Sequence, residues 1–363
     1  MANFFIETFG CTANTSATEL MTYLLTNCGH IVTKNIDTAD FVLINTCIVK
    51  APTENKIKNL LLRLSNSYPL IVAGCLPQVL TNWCKENIPN AALIGVDHYG
   101  DVCFAADAIL NNQSFEALSR KDIFCSENKR NRVNPLTGII EISKGCTGQC
   151  AYCIVKFAKG ILVSKNKEQI LTEVQTAIND GCKEIWLTAQ DTASYGHDIN
   201  SSLPEIIDSI SQINGDFMIR IGMMNPDFAL SIIDGLKKTY QNPKVYSFAH
   251  IPVQSGSNTV LQEMKRKYTI EEFYELIDVF RKELDLTLST DIIAGFPGET
   301  ASDHIETLNL LKEVKFDIVN ISKYGDRPGT LASKVLHKIP TEIIKERSTE
   351  ISKIVNEMTL ERN

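Results

Sequence analysis

The sequence predicts an α/β protein: an N-terminal domain on a parallel sheet, followed by a partial (β/α)6 barrel. Three observations lead there. Short apolar runs alternate with helical periods through residues 1–100, a pattern that gives parallel sheets flanked by helices. A second series of six strand-like runs with helical spacers begins at residue 138. Between them lies a polar connector, Asn111 to Asn134. At 363 residues two domains are the default expectation. The reading is an N-terminal domain at 1–110, a linker at 111–135, the barrel at 136–335 and a helical tail at 336–363.

In the first domain, Phe4–Thr8 reads as a strand ending at Gly10-Cys11, and Thr18–Thr26 has helical periodicity. Phe41–Asn45 is a second strand ending at Thr46-Cys47, with a polar helix from about Thr53 to Ser65 after it. Leu70–Ala73 is a third, ending at Gly74-Cys75, and Val102–Leu110 reads as a helix. Ligands of open parallel sheets sit at the carboxyl ends of the strands. Cys11, Cys47 and Cys75 each lie just past such an end, so they are expected to converge on one sheet edge as a second, three-cysteine cluster site. They read equally as three small residues at tight turns. Cys28, Cys84, Cys103, Cys125 and Cys182 lack this placement and read as structural or incidental.

The barrel strands are Gly138–Ser143, Glu184–Thr188, Phe217–Gly222, Lys244–His250, Thr287–Ile293 and Asp317–Lys323. Helices fall at about Lys165–Asp180, Leu203–Gln212, Asp227–Thr239, Ile270–Leu284 and Thr300–Glu313, and a helical tail at Thr341–Glu361. Six strands fall short of the eight of a closed barrel, and the site is expected at their C-terminal ends. Gln190 and Asp191 follow the second strand, Arg220 lies late in the third, His250 ends the fourth ahead of Gln254, and Asp291 lies late in the fifth ahead of Gly295. Singly each reads as a loop, cap or core residue. Gathered at successive strand ends, they read as the lining of one cavity.

After the first barrel strand comes the loop Lys144 to Gly160, with Cys146, Cys150 and Cys153 in C-x3-C-x2-C spacing and Tyr152 between the last two. Three thiolates this close can hold three irons of a cubane cluster, leaving the fourth iron open to a small chelating molecule. A zinc site wants four ligands, commonly as two separated pairs, and a disulfide framework suits small secreted chains. The cluster reading fits best.

The 36 basic and 43 acidic residues give a net charge of −7. That excludes a blanket-basic nucleic-acid binder and leaves room for a local basic face. The run Glu127 to Val133 reads as a solvated linker, or less simply as a phosphate-contacting face; Lys265-Arg266-Lys267 carries the same alternatives. No apolar run approaches the length of a membrane span and the N-terminus lacks a secretory pattern, so reduced cysteines and the cytoplasm are expected, with no membrane partner.

The loop resembles the signature of radical S-adenosylmethionine (SAM) enzymes. The wider set is similar to their methylthiotransferase family: Phe9-Gly-Cys-Thr-Ala-Asn14, Asn45-Thr-Cys47, Gly74-Cys75, Leu187 to Asp191, His250 to Ser257, Asp291 to Thr300 and Arg327 to Thr330. Arg220 to Pro226 and the first of these resemble most the archaeal and eukaryotic tRNA N6-threonylcarbamoyladenosine enzymes. Relatives acting on isopentenyladenosine in tRNA or on a ribosomal protein aspartate remain alternatives, and a non-catalytic iron–sulfur scaffold is the alternative of another class. The resemblance implies methylthiolation of adenosine 37 at C2 with two [4Fe–4S] clusters and SAM. Cys146, Cys150 and Cys153 would hold the radical-generating cluster, and Cys11, Cys47 and Cys75 the auxiliary one. Tyr152, Gln190, Asp191, Arg220, His250, Gln254, Asp291 and Gly295 would line the SAM side. Partners would be the tRNA anticodon stem-loop, an electron donor and a sulfur source. The sequence departs from the pattern twice. Lys159-Gly160 stands where relatives carry Arg-Gly, keeping the charge without the bidentate fork. A helical tail follows Arg327 to Thr330, so the family's C-terminal β-barrel RNA-binding domain is expected to be absent.

Overall fold

The computed structural model describes residues 1–122, 124–125 and 127–362. By packing, the chain falls into two units: residues 1–146 with 154–185, and residues 147–153 with 186–363.

The first unit opens with β1 (Asn3–Thr8), α1 (Thr12–Asn27), β2 (Ile31–Val32), β3 (Phe41–Thr46), α2 (Ala51–Leu64), β4 (Leu70–Gly74), α3 (Cys75–Val79), α4 (Thr81–Asn87), β5 (Ala92–Ile94), α5 (Val102–Leu110) and β6 (Glu116–Ala117). The six strands form one parallel sheet in the order β2-β1-β3-β4-β5-β6. Its central strands β3 and β4 are buried along their whole length, as the continuous apolar runs of a sheet covered on both faces require. One core, with Phe4, Met21, Leu25, Phe41 and Ile71, lies on one face; the other holds Val42, Ile44, Ile57, Leu61 and Val72.

The first helix starts six residues before its periodic stretch, directly after Cys11, because its leading residues Thr12 to Ala17 are small and mostly polar and show no apolar period. Cys28, at the end of α1, and Cys103, on α5, are joined in a disulfide. This corrects the expectation that all cysteines are reduced: the sheet order brings together residues 75 apart in sequence. The basic run is likewise no freely solvated linker. The Asn131 and Val133 amides donate to Glu19, and Arg132 pairs with Asp180 at 3.0 Å.

The unit continues with β7 (Thr137–Glu141), β8 (Ser143–Lys144), α6 (Val155–Lys159), β9 (Val163–Ser164), α7 (Lys167–Asn179) and the start of β10 (Glu184–Thr188). An antiparallel β8–β9 pair closes the cysteine loop at its base. Asn166 and Gln169 form a reciprocal cap that starts α7.

The second unit carries the rest of β10, then α8 (Leu203–Ser211), β11 (Met218–Ile221), α9 (Pro226–Ser231), α10 (Ile233–Tyr240), β12 (Phe248–His250), α11 (Asn258–Glu263), α12 (Ile270–Asp278), β13 (Thr287–Ala294), α13 (Ala301–Val314), β14 (Ile318–Lys323) and α14 (Thr341–Arg362). β12, β13 and β14 are parallel, with β13 central, and β11 neighbours β10. All six strands expected of the barrel are present, and among the described residues no closed barrel forms. The fourth is shorter than its apolar run. Lys244 is held in a turn by the Asn242 side chain, Val245 makes only an isolated bridge to Ile219, and the strand itself begins at Phe248. The helix expected over Asp227–Thr239 breaks at Ile232 into α9 and α10, and the one over Ile270–Leu284 ends in a π-turn at Val279–Glu283.

Candidate functional site

In the first unit, β1, β3 and β4 deliver Cys11, Cys47 and Cys75 to the carboxyl edge of the sheet. The Cys75 thiol senses the charges of both others, and burial pushes it up to about 12. Gly10 makes the approach possible: its φ is +116°, and a Cβ there would lie 2.8 Å from the Cys47 Cβ. Buried polar side chains stitch the three turns together. Asn14 Nδ2 donates to Phe9 O (2.7 Å) and Thr46 O (2.9 Å), and Asn45 Nδ2 donates to Asn14 O (2.8 Å). Thr46 Oγ1 donates to Ala73 O (2.6 Å) and accepts from the Leu76 amide. The sequence motifs contained these three residues, but their joining role needed the sheet order to emerge.

Lys159 lies in the same neighbourhood. α6 packs on α3, placing the Lys159 ammonium 3.7 Å from Glu141 and over the Tyr99 ring. Burial opposes its charge, but Tyr99, Glu141, Cys75 and Cys11 together hold its pKa above the ordinary lysine value. The Lys159 cation therefore senses two of the sheet-edge cysteines, Cys75 and Cys11.

The cysteine loop requires a glycine at its start. Gly145 has φ +74°, and a Cβ there would fall 1.7 Å from Ile161 O; the Cys146 amide donates to Gly160 O at 3.2 Å. Arg120 donates to the carbonyls of Phe157 and Ala158, closing α6. Lys144, just before the glycine, is a buried cation bound to Asp97 Oδ1 and Lys121 O, both at 2.6 Å. Removing one partner of such a pair leaves an uncompensated buried charge and costs ~3–5 kcal/mol. Asp97→Ala is expected to lower unfolding free energy by that amount, read by urea denaturation; a change below ~1 kcal/mol would refute the assignment.

In the second unit, the Ala151 amide donates to Met264 O and the Ala332 amide to Ala151 O, each at 2.9 Å. Tyr152 meets Phe296 edge-on. Arg266, missed in the sequence because Lys265 and Lys267 beside it are exposed, turns inward. It donates to Cys150 Sγ (3.2 Å) and Asn225 Oδ1 (2.6 Å) and stacks on Tyr268. Asn225 Nδ2 donates in turn to Asp191 Oδ2 (2.8 Å).

Asp191, expected on the SAM side, lies internally beside Asn225. It is 0% exposed, and its oxygens accept from Ala193 N, Asn225 N and Asn225 Nδ2. Burial pushes its pKa from 3.8 up to about 6 against the lowering effect of Asn225. The native state therefore holds a proton that the unfolded chain has lost between pH 4 and 6, so stability falls as pH rises through that window. At ~1.4 kcal/mol per pH step the total is about 3 kcal/mol. Asp191→Asn should remove this fall, measured by urea unfolding from pH 4 to 7; an unchanged slope would count against the burial account.

Other strand-end residues gather around β12 and β13. His250 Nε2 lies 3.2 Å from Asp291 Oδ1 without hydrogen-bond geometry, and Asn320 Nδ2 donates to the same oxygen. Gln254, at φ +72°, donates its amide to Asp291 O. Arg220 lies between the Trp186 and Phe248 rings, 4.9 and 4.8 Å from their centroids. Gln190 follows β10, half-buried. The Gly295 amide donates to Glu299 Oε2, and Ile344 fills the space beside its Cα.

Among the described residues, no three His, Cys, Asp or Glu side chains form a group that could hold a metal ion. A cubane cluster asks less of the protein, because its own sulfides bridge the irons and each thiolate binds one. All six cysteines are thiols. A half-buried cation, Arg266, stands beside Cys150 in one unit and a buried one, Lys159, near Cys75 in the other, as suits anionic iron–thiolate groups. The residues fit.

The fold and the cysteine loop together define a radical SAM protein. Residues 140–311 match the radical SAM superfamily, and residues 3–95 match uncharacterized protein family UPF0004. The chain resembles the radical S-adenosylmethionine methyltransferase TsrM of Kitasatospora setae in fold, with a TM-score of 0.64 at 12% identity over 91% of this chain and 75% of that one. It is 39% identical to a probable threonylcarbamoyladenosine tRNA methylthiotransferase of Pyrococcus abyssi, covering 100% of this chain and 86% of the relative. It is 40% identical to one of Methanothermobacter thermautotrophicus, covering 99% and 85%. The chain belongs to the threonylcarbamoyladenosine tRNA methylthiotransferase family of radical SAM enzymes. Membership brings a [4Fe–4S] cluster and SAM as cofactors. No helix among the described residues is long and apolar enough to cross a membrane.

Proposed function

We propose that this enzyme converts N6-threonylcarbamoyladenosine at position 37 of tRNA, beside the anticodon, to its 2-methylthio derivative. The observation that carries the reading is the gathering of Cys11, Cys47 and Cys75 at one sheet edge in a chain that also bears the C-x3-C-x2-C loop. One three-thiol set suffices for SAM cleavage; a second offers a place from which the sulfur atom can be presented. Cys146, Cys150 and Cys153 hold the open-iron cluster, and Cys11, Cys47 and Cys75 hold the auxiliary one. When bound, the clusters and SAM supply the one-electron chemistry and the methyl group that an unactivated aromatic C–H demands.

The chain's own residues bind and orient. Gly10 and the Asn14–Asn45–Thr46 network hold the auxiliary thiols in place, and Lys159 offsets their charge. Tyr152, Gln190, Arg220, His250, Gln254, Asp291 and Gly295 form the SAM side, and Asp191 acts from behind through Asn225. Position 37 lies in the anticodon stem-loop, which is the macromolecular partner. An electron donor and a sulfur source complete the reaction, and the compartment is the cytoplasm.

The test is an anaerobic assay of the reconstituted protein with SAM, dithionite, sulfide and tRNA with or without the threonylcarbamoyl group. Nucleosides are then read by mass spectrometry. Methylthio product from the threonylcarbamoyl form alone is expected. Product from isopentenyladenosine tRNA or a protein aspartate would move the enzyme to its relatives' substrates, and no 5′-deoxyadenosine would overturn the radical reading.

A further inference from the structure

Arg266 makes a chain of contacts that the proposed ligand set alone does not require. Its guanidinium reaches Cys150 Sγ at 3.2 Å with one nitrogen and Asn225 Oδ1 at 2.6 Å with another. The Asn225 amide is fixed by its two neighbours, with its oxygen toward the cation and its nitrogen toward the Asp191 carboxyl. Asp191 is enclosed and Asn225 nearly so, so neither can swing away. Tyr268 lies against the guanidinium face, and its hydroxyl is anchored to Val253 O at 2.6 Å. A planar, permanently charged fork is thus locked from three sides with one N–H aimed at a sulfur. Lysine could supply the charge there but not the fork.

A [4Fe–4S] cluster on three thiolates gains negative charge when reduced. Hydrogen bonds to its sulfurs and a nearby buried cation both favour the reduced form. We propose that Arg266 is a positioning residue of the open-iron cluster, holding the Cys150 thiolate by a charge-assisted N–H···S bond and raising the cluster's reduction potential. This rests on the reading of Cys150 as a cluster ligand.

The test is made on the reconstituted full chain and on Arg266→Gln and Arg266→Lys. Iron and sulfide content is measured first. The one-electron couple of the cluster whose EPR signal changes on adding SAM is then titrated. Arg266→Gln is expected to keep its cluster, with the ratio of reduced to oxidised cluster about tenfold lower at a fixed potential near the wild-type midpoint, a fall of ~59 mV. Arg266→Lys should lie between the two. An unshifted couple in a fully loaded variant overturns the proposal, because a packing role would leave the potential where it was. Should Arg266→Gln fail to load, Arg266→Lys decides by the same criterion. Loss of the cluster from both variants would assign Arg266 to the fold and also overturn the proposal. Absence of any SAM-responsive cluster in the wild-type chain would instead overturn the ligand reading itself.

Discussion

Cys150→Ala is expected to abolish reductive cleavage of SAM, lowering 5′-deoxyadenosine release by at least ~100-fold, since even outer-shell losses cost metal sites 10–100-fold. Cys150 has the most distinctive setting of the loop's three cysteines. Its sulfur accepts from a half-buried guanidinium, and its carbonyl accepts from the Cys153 amide at 3.1 Å. Alanine keeps that backbone bond and the docking of Ala151 on Met264, so the loop should hold its course while losing one iron ligand. The missing thiolate also leaves the half-buried Arg266 guanidinium without its anionic neighbour, which weakens the packing around it. Some loss of thermal stability is therefore expected alongside the loss of chemistry. The decisive measurement is 5′-deoxyadenosine by liquid chromatography on folded, anaerobically reconstituted protein. Release at the wild-type rate would remove Cys150 from the ligand set. Cys182→Ala, at a buried cysteine beside Pro135 O, should leave release unchanged.

What the sequence made legible was whatever depends on neighbours in the chain. The alternation of apolar runs located the strands, and strand ends located Cys11, Cys47 and Cys75, because chain direction alone decides which edge of a parallel sheet a turn occupies. Features set by partners far along the chain stayed hidden. Arg266 reads as part of a solvated basic patch until Asn225, 41 residues away, and Cys150, 116 away, are seen against it. The bond between Asp191 and Asn225, 34 residues on, carries no local sign in the sequence. Lys159 reads as part of the loop that precedes it. The packing of α6 on α3 gives it to the other set of cysteines. The Cys28–Cys103 disulfide was equally beyond reach, since neither residue carries a local sign of its partner. Within the polar motifs, residue types were legible and roles were not. Asn14, Asn45 and Thr46 look like turn formers, and only sheet order turns them into the cross-links among three loops.

Cys47→Ala is expected to separate the two halves of the reaction. SAM cleavage should continue within about threefold of wild type, while methylthio product falls by at least ~100-fold, on the same reasoning about lost ligands. The fold should tolerate the change. Cys47 is 7% exposed, and its Cβ is already accommodated by Gly10, so alanine removes only the sulfur. Deleting one buried atom costs about 1 kcal/mol. Cys84→Ala is the informative comparison, because burial is the largest cause that pushes both the Cys84 and the Cys75 thiols up to about 12. Burial cannot tell the two kinds of cysteine apart. Position can: Cys75 senses Cys47 and Cys11, while Cys84 senses Lys58. If strand-end placement is what matters, Cys84→Ala makes product normally and Cys47→Ala does not. Iron content separates the remaining outcomes. Cys47→Ala should lose about half the wild-type iron, the share of one of two cubane clusters. Wild-type product from Cys47→Ala with full iron would return the trio to three small residues at tight turns. Loss of 5′-deoxyadenosine together with product would mean that the two thiol sets are not independent.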